Sequence, residues 1–177
     1  AGTTIIDSTG APQQPPAAYN LAVARMGQHR VSEAADLYRR ALALRPGYPE
    51  AANGLSNALR VLGCWDEALA RARQAVELRP DFPDALGHLA ILMRSVCAWD
   101  GLTELDERLG ALTRRQLERG ETTAVQPMLS LWMDTGPAER RAIAASHCRD
   151  AARRAAAAGP AFAFESRRES VGPLTLG

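Results

Sequence analysis

Apolar and polar positions along this chain fall with a helical period, and stop signals cut that period into segments of similar length. Helical periodicity starts at Ala17, places Leu21 and Ala22 side by side, and runs to Gly27. A second helix is predicted from Ser32 to Leu44, with Ser32-Glu33 as its N-terminal signal and Pro46 as its stop. The pattern then restarts. Glu50–Leu62 forms the next helix, Gly63 sits where it must end, and Trp65–Leu78 follows before Pro80. Asp66 and Glu67 in its first turn and Arg79 at its end suit the helix dipole. A third start at Pro83 carries Leu86, Leu89, Ala90 and Met93.

These segments repeat in sequence as well as in period. Leu21, Glu33, Ala34, Ala41, Leu42, Leu44 and Pro46 recur, 34 residues on, as Leu55, Glu67, Ala68, Ala75, Val76, Leu78 and Pro80. A helical repeat of that length resembles the tetratricopeptide (TPR) helix–turn–helix unit. The fold class expected is therefore all-α: a TPR α-solenoid of two full repeats plus a degenerate third, then a helical cap and an extended C-terminal tail. Small residues give the physical basis. Ala22 and Ser56 in the first helix of each unit face Ala34 and Ala68 in the second, so the backbones approach closely, with Leu21, Leu55 and Leu89 as apolar knobs. An isolated pair of short helices is marginal in water, and stacking the pairs buries both faces.

The units expected are 15–48, 49–82 and a degenerate 83–118, with 17–114 as the array and 1–16, rich in Gly, Ser, Thr, Gln and Pro, as a flexible lead. In the third unit Leu102 takes the small position and Arg114 replaces the stopping proline. Leu102, Leu105, Leu109 and Leu112 carry that helix to about Glu118, with Gly120 as its stop. Residues 115–158 read as cap and linker, with helices near Thr123–Asp134 (interrupted by Pro127) and Pro137–Ala158. Residues 159–177 turn to linker composition and end on a short β-prone stretch.

Composition narrows function mainly by exclusion. A formal net charge of +1 gives no nucleic-acid surface, and no apolar run is long enough to span a membrane. Residues 1–10 have no basic stretch followed by an apolar one, so they do not read as a signal peptide. A cytoplasmic location is expected. Every basic residue is arginine, as a GC-rich bacterial genome produces. Without lysine the chain cannot build the lysine-rich carboxylate clamp of chaperone-binding TPR adaptors. Cys64, Cys97 and Cys148 lack any paired spacing and are expected as reduced thiols used as small core side chains. No metal site, no cofactor site and no nucleophile–base constellation is predicted. His29 falls in a turn, His147 on a solvated helix face, and Asp100, Glu104 and Asp106 at a helix start.

What remains is an inner surface. In stacked helix pairs the first helix of each unit borders the hollow, which makes Tyr19, Asn20, Asn53, Asn57, Arg60, His88 and Arg94 the candidate protein- or peptide-binding residues. Val23, Asp84 and Ile91 share that face. Amide side chains there can hydrogen-bond the main chain of an extended peptide; the alternative is that they are simply solvated helix positions. A further possibility is self-association through Trp132 and its apolar neighbours.

The segment Leu78–Asp100 (LRPDFPDALGHLAILMRSVCAWD) is more specific. With Cys97, Trp99 and Asp106-Glu107-Arg108 in order, it resembles the last repeat before the catalytic region in the protein O-linked N-acetylglucosamine transferase family. The resemblance continues through Val125-Gln126-Pro127 to Gly172–Gly177, which is similar to the start of the first strand of that family's Rossmann-like half. It implies a recognition segment, inactive alone, of an enzyme that moves sugar from a UDP-sugar donor to Ser or Thr of proteins. The donor site and the catalytic α/β domain would lie beyond Gly177, so no catalytic residue carries over. Such proteins present an asparagine just before the knob leucine: Asn20 fits, while Gly54 and His88 do not. The alternative is a free-standing TPR adaptor mediating protein–protein interactions.

Overall fold

The computed structural model describes residues 15–157. The expected lead before Pro15, Ala158, and the linker with its strand start over 159–177 lie outside the described residues. Within them the chain forms eight helices and no strand: α1 Pro15–Gly27, α2 Val31–Leu44, α3 Pro49–Val61, α4 Trp65–Leu78, α5 Pro83–Ser95, α6 Leu102–Glu118, α7 Pro127–Ser130 and α8 Pro137–Ala157. Three helical hairpins, α1/α2, α3/α4 and α5/α6, stack in order, with α1, α3 and α5 packed against one another as the inner layer. The outer helices α2 and α4 are joined across their exposed surface by the Arg39–Glu67 ion pair at 3.3 Å. This is the all-α solenoid that the repeat predicts.

The close approach of small residues is present. Ala22, Ala34, Ser56, Ala68 and Ala90 are all fully buried. Ser56 keeps its hydroxyl in that dry seam by donating to the Ala68 carbonyl at 2.7 Å. Leu55 is fully buried and Leu89 nearly so, but Leu21 is 44% exposed. Leu21 departs from its role as a core knob because, among the described residues, α1 is the first helix and no other packs on its outer side. The thiols also depart from expectation: Cys64, Cys97 and Cys148 are all free and exposed. Two of them sit in inter-helix turns and the third on the outer face of α8, so none reaches the core.

Each inner helix ends in the same way. His29, Gly63 and Cys97 occupy one repeat position, and all three have left-handed φ values of 60°, 78° and 55°. The following amide closes back on the helix in each case: Arg30 to Arg25 at 2.9 Å, Cys64 to Leu59 at 2.9 Å, Ala98 to Met93 at 2.8 Å. Only glycine adopts that backbone without steric cost. We therefore expect His29→Gly to raise stability by about 1 kcal/mol, read as a higher urea midpoint with an unchanged slope.

Three local expectations need correction. Helix α1 begins at Pro15, because prolines are accommodated in a first turn. Ser32 does not cap α2, which starts at Val31 behind Arg30 with no side-chain cap. The helix expected over Thr123–Asp134 shrinks to α7. Pro127 supplies no N–H and forces Gln126 out of helical geometry, at ψ 152°. The third hairpin is distorted as well, since α6 starts at Leu102, three residues later than the repeat places it, after Gly101 in a left-handed conformation (φ 77°).

Candidate functional site

The inner face of α3 and α5, with the segment before α7, encloses a cavity of about 510 Å³. Asn53, Asn57 and Arg60 project from α3, and Asp84, His88 and Ile91 from α5. Four of the seven candidate residues, Asn53, Asn57, Arg60 and His88, are thus brought to one hollow. The other three go elsewhere. Tyr19 stacks on Tyr48 at 5.2 Å between ring centroids and on Tyr38 at 5.9 Å, forming an aromatic end of the same inner layer. Asn20 is exposed on α1. Arg94 is turned away and tied into the wall of the third hairpin, by Asp106 at 2.5 Å and the Ala90 carbonyl at 3.1 Å.

Local chemistry holds the hollow in shape. His88 Nδ1 and Asn53 Oδ1 are 3.1 Å apart, a clasp between α3 and α5 in which the ring N–H donates. That assignment leaves Nε2 as a buried lone pair with no protein partner. Burial, reinforced by the Arg60 guanidinium, lowers the His88 pKa to about 4, so the ring is neutral at pH 7. Arg60 donates to Asn57 Oδ1 at 3.0 Å, and the carboxylate of Asp84 lines the same hollow. In the first turn of α3, burial works to raise the Glu50 pKa, but the hydrogen-bonded Arg79 guanidinium, a backbone hydrogen bond and the charge of Arg45 together outweigh it and lower the pKa. Burial pushes Tyr38 up to about 12, with Tyr19 adding to it.

Sequence reading missed two glycines and a strap. Gly54 and Gly87 are both in helix interiors, where glycine is costly relative to alanine, and that cost was the available signal. A Cβ on Gly54 would stand 2.5 Å from the Tyr38 ring. The ring's close approach accounts for the missing asparagine at that position. A Cβ on Gly87 would stand 3.2 Å from the carbonyl oxygen of Ala124, because the non-helical residues 122–126 cross the inner face of α5 there. Ala124 and Gln126 of this strap close the hollow. Its anchors include His147, whose Nε2 donates to the Val125 carbonyl at 3.1 Å; the residue is part of the wall, not the solvated position expected. Thr123 donates to the same carbonyl at 2.9 Å, and Gln116 receives the Ala124 amide at 2.9 Å.

Among the described residues no group of three His, Cys, Asp or Glu could hold a metal ion, and no helix is long and apolar enough to cross a membrane. The hollow offers hydrogen-bonding groups in a charge-balanced concavity, with no activated nucleophile.

Residues 25–90 match the family model described as tetratricopeptide repeat. No curated protein sequence matches the chain. Among solved structures, the Sgt2 TPR domain from Aspergillus fumigatus is 17% identical with a TM-score of 0.51, covering 96% of this chain and 97% of that one. The first TPR of Spaghetti (RPAP3), bound to HSP90 peptide SRMEEVD, is 17% identical with a TM-score of 0.51, covering 58% of this chain and 79% of that one. A chain of the CopN–Scc3 complex is 14% identical with a TM-score of 0.50, covering 58% of each chain. At these identities the likeness is one of fold.

Proposed function

We propose that this chain is a protein-recognition module that holds an extended segment of a partner protein along the inner faces of α1, α3 and α5. The observation that carries this is the hollow itself, where the Asn53 and Asn57 amides and Arg60 of α3 converge with Asp84 and His88 of α5 and with Gln126 of the strap. Groups of that kind hydrogen-bond a peptide main chain without demanding one side-chain sequence. Two solved chains of similar fold support a polypeptide partner, one bound to an HSP90 peptide and one belonging to the CopN–Scc3 complex. The resemblance of the Leu78–Asp100 segment and its continuation supports a finer reading. On it, the module is the recognition part of a protein O-glycosyltransferase that uses a UDP-sugar donor, with catalysis by a following α/β domain.

Titration of the labelled chain with pooled short peptides should shift amide resonances of α3 and α5 around Asn57 and His88, and Asn57→Ala should weaken the response. Shifts confined to the outer helices would overturn the recognition reading. Calorimetry with UDP-N-acetylglucosamine should show no binding to this chain; measurable heat would overturn the division of labour. A parent reading frame without a catalytic domain would leave the adaptor, which explains the groove equally well.

A further inference from the structure

We infer that the strap of residues 122–126 is a fixed end wall, so that the groove takes a short extended polypeptide segment of no net charge that ends or turns against Ala124 and Gln126. The inference rests on the protein-recognition reading above and adds the partner's length, charge and placement.

The wall is built to stay. Thr123 is buried, with its hydroxyl within 3.3 Å of Ser146 and its backbone amide 3.4 Å from the Ser146 hydroxyl. Val125 is fully buried, and its carbonyl receives bonds from Thr123 and His147. The strap runs directly into α7 on one side and is separated from α6 by a three-residue turn on the other. At the third hairpin the inner face is therefore already covered by backbone of this chain, and the absence of a side chain at Gly87 lets it sit there. A ligand running along the inner layer meets that backbone end-on.

Length follows from the geometry. The hollow itself lies between α3 and α5, and a segment laid across all three inner helices, as proposed above, crosses two helix spacings of about 10 Å each, or about six residues of extended chain at roughly 3.3 Å per residue. Charge follows from the lining. Arg60 and Asp84 line the hollow with opposite sign, and His88 is neutral. The remaining polar side chains, Asn53, Asn57 and Gln126, are amides that both donate and accept. A strongly charged segment would find one of its like charges fixed in the wall.

Selection of a displayed library of short random peptides against the chain, followed by anisotropy with capped synthetic versions, tests this. Selected peptides should carry no net charge, and a core of about six residues should retain the affinity. Affinity should change less than about three-fold between about 0.05 and about 0.5 M salt. Ala124→Trp, which fills the closed end, should weaken binding at least ten-fold (about 1.4 kcal/mol). Trp99→Ala, on a different edge, should leave binding unchanged. Strongly charged selected peptides with salt-sensitive affinity would overturn the inference. So would binding that Asn57→Ala weakens but Ala124→Trp, folded by its circular dichroism melt, does not; the groove reading would then survive without its end wall. Peptides indifferent to both substitutions would remove the groove reading, and the inference with it.

Discussion

Leu55→Ala is expected to lower the free energy of unfolding by about 2–5 kcal/mol, measured by urea denaturation. Leu55 is fully buried in α3, the central helix of the stack, which packs against α1, α2, α4 and α5. With neighbours on so many sides the site cannot collapse onto the missing atoms, so the loss combines the transfer term with a retained cavity. Leu21 occupies the equivalent position in the first hairpin but is 44% exposed, and Leu21→Ala should cost no more than about 0.5 kcal/mol. The contrast separates the effect of burial from that of the residue type. Equal losses at the two positions would mean that α1 is covered in solution by something outside the described residues.

The same pair shows what sequence can and cannot convey about a repeat. Periodicity and spacing locate the hairpins because each residue's environment recurs with the unit: α4 and the C-terminal limits of α1, α2 and α6 fall where the pattern puts them. The register even marks the left-handed position shared by His29, Gly63 and Cys97, though only the glycine advertises it. What repeats cannot convey is the difference between a middle unit and an end unit. Leu21 loses its burial in the first described hairpin, and Arg94 leaves the hollow for Asp106 and α6 starts late in the third, distorted one. The strap was illegible for a related reason. Its residues run on without a break into the apolar Met128 and Leu129 of α7, and the strap is kept out of the helix by Pro127 and by tertiary hydrogen bonds with Gln116, Ser146 and His147, none of them local.

His88 should make stability depend on pH in a way that one substitution removes. Its folded pKa of about 4 lies below the ordinary 6.5, chiefly because burial disfavours the imidazolium and secondarily because Arg60 is near. The unfolded chain therefore binds the proton more readily than the folded one between those values. Stability is full above pH 6.5 and falls as pH drops toward 4, by about 3 kcal/mol at roughly 1.4 kcal/mol for each pH unit. Asp84 is too exposed to hold the proton in place, and Asn53 offers only a neutral acceptor. Carboxylates titrate in the lower part of the same window, so the informative quantity is the difference from a variant. His88→Asn keeps a polar side chain facing Asn53 and lacks the titrating ring. Its urea-derived stability should fall less steeply from pH 6.5 to 4, by about the amount assigned to His88. Parallel pH profiles for the two proteins would show that the ring reaches water when protonated. The clasp between α3 and α5, and with it the fixed shape of the groove at neutral pH, would then have to rest on groups other than this histidine.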